Sequence, residues 1–284
     1  MLFYFGSESI LNFKKGEISM YLRLTSYFVT LFFVLSTLSG CIAVTPVAKS
    51  PVEVLQDASD ATGIDAPTSE GAEVAFDIVH TQVSRDGAFL NFKQIVTGEV
   101  GSIIPTKTGQ LGGAEVESYV WPTSLDSSTV GFDAEQGILA LAVTAHPDFD
   151  DTPLVDEDED GNKENDGRLW HSHWVVLVED ESCGEGGLKV RDIPEGETPS
   201  VPDTWPELPL LIDSPSYDLE LANSQITVHV PYQPFVDGKF FNYDGVTAGL
   251  KVNADLHVPL LCVTGIYDIA SGDLSLPGEV QAEP

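Results

Sequence analysis

The tripeptide His171-Ser172-His173 carries more chemistry than any other short stretch of this 284-residue chain. In a β-strand side chains alternate between faces, so the two imidazoles project the same way, one pleat repeat apart. Imidazoles so placed can share one Zn2+ or Cu2+ ion, which needs three or four N, O or S donors. The chain holds six histidines. His146 is the first choice as third donor because it ends an apolar run. His80 and His257 are alternatives, and Asp148 or Asp150 would supply a carboxylate instead. The competing reading is a structural pair, satisfied by aspartates or main-chain carbonyls.

An acidic tract follows His146: Asp148, Asp150 and Asp151, then Asp156 through Gly167. Asp156, Asp158 and Asp160, two residues apart and followed by Gly161, resemble the start of an EF-hand calcium loop. Alternate carboxylates can converge on one hard cation, and glycine permits the sharp turn. The pattern departs at its twelfth position, which is Gly167 where the EF-hand places a bidentate Glu, and no helices flank it. The expectation is a non-helical Ca2+ loop built on Asp156, Asp158, Asp160 and Glu164 or Asp166. A solvated acidic hairpin tip is the alternative. Gly167, His171-Ser172-His173 and Glu179 are also similar to the cupin pattern, with spacing that departs on both sides and no second motif. That likeness keeps a metal-dependent enzyme as a further reading.

The elements that must position these residues read as strands. Phe76, Ile78 and His80 alternate with Asp77, Val79 and Thr81, and Asp86-Gly87 separates them from Phe89–Val96, a hairpin signal. Further runs are Ser118–Trp121, Ile138–His146, Leu169–Val178, Leu188–Ile193, Leu208–Ile212, Gln225–Val230, Gly245–Leu256 and Pro259–Ile269. Leu169–Val178 is apolar on both faces at its end, which marks a central strand. Eighteen prolines and 25 glycines argue against long helices. The fold class expected is all-β, an antiparallel two-sheet sandwich, with a barrel as the alternative.

With 45 acidic against 13 basic side chains the formal net charge is −32. Such a surface argues against nucleic acid, because phosphate binding needs Lys and Arg to displace counterions. It favours solubility and cations. No Gly-x-Ser-x-Gly turn or P-loop is present, so nucleophilic hydrolysis and nucleotide chemistry find no support. A non-enzymatic protein is the preferred reading. Of the four tryptophans, Trp170 and Trp174 share a face that continues into Val176 and Val178, which indicates core. Trp121 and Trp205, each before proline, are the candidates for a sugar-stacking surface. They support the alternative of a carbohydrate- or protein-binding module.

Upstream, Arg23 precedes the apolar stretch Tyr27–Leu35, which runs into Leu38-Ser39-Gly40-Cys41. The layout is that of a signal peptide, with Met20 or Met1 as the start. An uncleaved membrane helix over 24–44 is the alternative. The tetrapeptide resembles the lipobox of bacterial lipoproteins: an aliphatic residue, two small residues, then cysteine. That resemblance implies cleavage before Cys41, diacylglycerol on Cys41 and anchoring of the protein to the cell-envelope membrane. Ile42, in place of an aspartate, implies the outer membrane where the cell has one. Cleavage would remove three cations against two acids and leave the chain more acidic still. Residues 1–40 are then leader, 41–72 a flexible tether rich in Pro, Ala, Ser and Thr, and 73–284 one β domain. With Cys41 taken by lipid, Cys183 and Cys262 remain for a disulfide in an oxidising compartment. The alternative is two free thiols, with Cys262 buried in an apolar strand.

Together these features describe a lipid-anchored protein outside the cytoplasm. It binds divalent cations at His171, His173 and a third donor, with calcium in the acidic loop.

Overall fold

Short alternating runs broken by turn residues fold into strands that, among the described residues, pair only in antiparallel fashion. The computed structural model describes residues 63–149, 156, 159–163, 165–232, 241–254 and 259–280. The expected leader, Cys41 and most of the expected tether lie outside them. In chain order the strands are β1 (Ile64–Asp65), β2 (Ile78–Asp86), β3 (Phe89–Val96), β4 (Glu115–Pro122), β5 (Ile138–Ala145), β6 (His171–Glu179) and β7 (Leu188–Val190). They continue with β8 (Ile212–Asp213), β9 (Asp218–Ala222), β10 (Gln225–Pro231), β11 (Phe241–Tyr243), β12 (Val246–Val252), β13 (Leu261–Ile269) and β14 (Gly278–Val280).

The β2–β3 hairpin forms as its sequence predicts, one residue later. Asp86 pairs with Phe89, so the loop is Gly87-Ala88. Gly87 has φ of 58° at the first central position, the conformation that a tight right-twisted hairpin requires there. β1 lies ahead of the expected domain start near Glu73, with Ile64 opposite Thr81.

Sandwich and barrel are both present. One sheet has the order β1-β2-β3-β10-β9, and β11 and β14 form a small pair. The third runs β5-β4-β12-β13-β7-β6-β8, and β5 also pairs with β6. That extra pairing closes six strands, β5-β4-β12-β13-β7-β6, into a barrel. The five-stranded sheet packs on the outside of one barrel wall. Phe92 on β3 meets Trp121 on β4 and Trp174 on β6 edge-to-face, with ring centroids 5.9 and 6.0 Å apart. This geometry suits the aromatic quadrupole.

The barrel wall is therefore buried on both faces. Leu139, Leu141 and Val143 on β5 point outward into the inter-sheet core, while Ala140 and Ala142 point inward. A six-stranded barrel is narrow, since diameter grows with strand number, and the small inward residues Ala140, Ala142 and Ala248 fit it.

Closure is weakest between β7 and β13, which share a single paired position, Cys262 opposite Lys189. Cross-links reinforce that seam. Cys183 and Cys262 are at bonding distance, with Cα atoms 5.5 Å apart and 79 residues between them in sequence. Asp192, just after β7, accepts the Leu260 N–H at 3.0 Å, and on the β7 side Lys189 holds Asp192 at 2.7 Å and Asp180 at 2.9 Å.

Candidate metal centre

Strand pairing brings three histidines together. On β6, His171 and His173 share the inward face. In the β5–β6 register Thr144 lies opposite His171, and Ala142 opposite His173. His146 follows β5 directly, two residues beyond Thr144 and so on the same face. Its ring reaches His171 diagonally across the pair. Ring centroids are 4.6 Å apart for His146 and His171, and 4.7 Å for His171 and His173. One ligand nitrogen from each of the three rings lies within 4.8 Å of the other two, and all three residues are buried. The group could hold a metal ion.

Each ring is held by its Nδ1. His146 Nδ1 donates to the Phe149 carbonyl at 2.6 Å and His171 Nδ1 to the Leu169 carbonyl at 2.9 Å. His173 Nδ1 meets the Ser214 hydroxyl at 3.1 Å. A carbonyl only accepts, so the first two Nδ1 atoms carry protons and their Nε2 atoms present lone pairs in the neutral rings. Those two Nε2 atoms are 2.7 Å apart. Two facing lone pairs repel unless a proton or cation sits between them. Metal-binding histidines are oriented in this way, with the second nitrogen fixed by an outer acceptor. Tetrahedral zinc, with metal–nitrogen bonds of about 2.0–2.1 Å, sets its nitrogens about 3.3 Å apart. Capture of zinc would therefore widen this closest pair by about 0.6 Å.

Local structure fixes His146. Its backbone N–H donates to the Gly167 carbonyl at 2.5 Å, and its ring stacks on Phe149 with centroids 4.4 Å apart. A Cβ on Gly167 would collide with the carbonyl oxygens of Phe149 and His146. Glycine at 167 therefore lets the end of the acidic tract close against the histidine.

No protein-family model matches this chain, and comparison with curated proteins and with solved structures found no match. The site must be read from its own chemistry.

The remaining expected donors fall elsewhere. His80 is buried on β2 in the other sheet, with Nδ1 2.7 Å from Asp65 Oδ1. It cannot complete the site, because a hydrophobic core separates the two sheets. His257, Asp150, Asp158 and Glu164 lie outside the described residues. Asp148 instead accepts hydrogen bonds from Thr108 and Gly109. In the acidic tract, Asp156 accepts the Gly161 N–H at 2.8 Å. Asp160 accepts the Asn162 N–H at 2.7 Å and the Asn165 amide at 2.9 Å. Asp166 is fully buried in a 3-10 turn. Among the described residues no three of these acids converge as the histidines do.

The tryptophan expectation is corrected. Trp121 is fully buried, because β4 continues through Pro122 rather than ending in a loop. Trp205 is half-buried, its indole N–H donating to the Leu210 carbonyl at 3.1 Å. Trp121 therefore offers no ring face to a sugar.

Two residues at the centre escaped the sequence reading. Ser214 follows β8 and is 41 residues from His173, so no local pattern links them. For Thr144 a signal was present: strand parity puts it on the same face as His146, two residues earlier. Beside Ser214, the Asp213 carboxyl is pushed up to about 6, chiefly by burial, with hydrogen bonds from Thr204 and the Ser214 backbone opposing the shift.

Proposed function

We propose that this chain is a lipid-anchored envelope protein that binds a divalent transition metal through His146, His171 and His173. One observation supports the reading above the rest: two buried imidazoles, each with Nδ1 on a carbonyl acceptor, turn their Nε2 atoms toward each other at 2.7 Å. Imidazole donors suit Zn2+ and Cu2+. Three neutral rings leave the ion's charge uncompensated, and the acidic surface attracts cations toward it. In this reading the protein binds, buffers or delivers metal. Three protein donors also leave zinc a fourth position, as in sites that take up an exogenous ligand. The lipobox-like Leu38-Ser39-Gly40-Cys41 supplies the anchor, and mass spectrometry of the membrane-extracted protein would read diacylglycerol on Cys41.

Elemental analysis of purified protein tests the metal reading. About one equivalent of zinc or copper is expected in the wild type, and loss of it in His171→Ala/His173→Ala. Equal metal in the two proteins would remove the proposal. Calcium in the Asp156–Asp166 tract is its second part. Calcium binding should weaken in Asp156→Asn/Asp160→Asn while transition-metal content stays unchanged.

A further inference from the structure

The barrel encloses a cavity of about 180 Å3 that borders the histidines. It exists because Ser118, Ala142 and Ala248 turn small side chains inward where longer ones would fill the space. The rest of the lining is almost wholly aliphatic, and its polar end is formed by His146, His173 and Thr144. Two lining residues, Ile138 and Ile266, are 43% and 46% exposed, whereas the histidines are 3% exposed or less. The cavity therefore reaches solvent at an aliphatic rim and ends at the candidate metal.

An apolar cavity of about 150 Å3 stays dry and takes up benzene. This one is slightly larger, so its body suits a single ring or a short branched chain. The polar end adds a second requirement. The Thr144 hydroxyl is buried and has no hydrogen-bond partner among the described residues, which is rare for a buried polar group. It lies opposite His171 in the strand register and two residues before His146. A head group that offers one oxygen to a cation and another to a hydroxyl donor answers both features, and a carboxylate is the simplest one.

We propose that the barrel is a receptor for a small monocyclic or short branched carboxylic acid. Its apolar body fills the cavity, one carboxylate oxygen takes the metal's fourth position and the other accepts a hydrogen bond from Thr144. The inference rests on the metal reading above and adds the ligand class that the same site takes.

The test uses purified full-length protein loaded with Co2+, whose visible d–d bands report both uptake of the ion and a change of its ligands. Benzoate and acetate are titrated separately. Benzoate is expected to shift the bands and to bind at least tenfold more tightly than acetate, which has the same head without the ring. Thr144→Val, equal in shape but without the hydroxyl, should weaken benzoate by about fivefold to tenfold with cobalt uptake unchanged. Ala248→Leu, on β12 away from the histidines, should weaken benzoate tenfold or more and leave acetate alone. Ala248→Val, which adds less bulk, should give an intermediate loss. Absence of cobalt uptake overturns the metal reading and this inference with it. Cobalt uptake with equal benzoate and acetate affinity, or with benzoate unaffected by filling the cavity, overturns this inference alone. Equal benzoate affinity with and without metal refutes the metal-bound carboxylate, and an unchanged affinity in Thr144→Val refutes the hydroxyl contact.

Discussion

Removing the Cys183–Cys262 bond in a Cys183→Ala/Cys262→Ala protein should destabilise the barrel more than any surface change. The bond spans 79 residues. In the chain-entropy model a loop of that length restricts the unfolded chain by about 4.5 kcal/mol. The native state has little with which to compensate, because β7 and β13 share one paired position. What remains across the seam is the Asp192–Leu260 hydrogen bond and the packing of the barrel core. Domains are typically stable by about 5–15 kcal/mol, so the loss is a large share of the total. At about 2–4 °C per kcal/mol for a domain of this size, the melting temperature should fall by about 9–18 °C. Urea unfolding of both proteins under non-reducing conditions measures the difference, and reducing agent should take the wild type to the variant's midpoint. Hydrogen exchange resolved by segment should show the largest gain at Leu188–Val190 and Leu261–Val263. A stability loss below about 1 kcal/mol, or exchange spread evenly over the barrel, would refute the view that the bond holds the closing seam.

Trp121→Ala should cost about 3–5 kcal/mol in urea unfolding, as truncation of a fully buried indole does. A near-neutral effect would return Trp121 to the surface. Gly167→Ala should keep the β signature in circular dichroism but lower transition-metal affinity by about tenfold or more, since displaced outer-shell supports typically cost 10–100-fold. Unchanged affinity would show that the Gly167 contact does not orient His146. The Asp213 carboxyl, pushed up to about 6 by burial, sets a pH dependence. Between about pH 4 and 6 the folded state keeps a proton that the unfolded chain has released, so this group's contribution to stability falls as pH rises through that window and is level above it. The fall amounts to at most about 3 kcal/mol, and Asp213→Asn should abolish it. Parallel pH curves for wild type and variant in urea midpoints would contradict this.

Alternation made the long strands legible. β2, β3, β5, β6 and β10 coincide with apolar runs that their own sequences mark out, and the two-faced apolarity of Leu169–Val178 foretold that β6 is internal. β9 was not legible, because Asp218 and Glu220 sit on an exposed edge where charge discourages further pairing. β1, β11 and β14, with two or three residues each, carry no period to detect. Sandwich and barrel could not be separated because inward and outward faces of β4, β5 and β6 are both apolar, and closure depends on the long-range β5–β6 pairing. At the site, the His171–His173 spacing was readable from strand parity, and His146 followed from its place at the end of β5. His80 has the same local signature on another sheet, so only tertiary structure distinguishes it. Pro122 misled the reading of Trp121, since a proline at the end of a strand resembles the start of a loop.

Zinc K-edge X-ray absorption on the zinc-loaded protein addresses the metal centre most directly. Nitrogen or oxygen neighbours at about 2.0–2.1 Å with outer-shell scattering from three imidazole rings are expected, and the imidazole signal should vanish in His171→Ala/His173→Ala. A first shell of carboxylate oxygens without imidazole scattering, the same in wild type and variant, would contradict a metal site built on His146, His171 and His173.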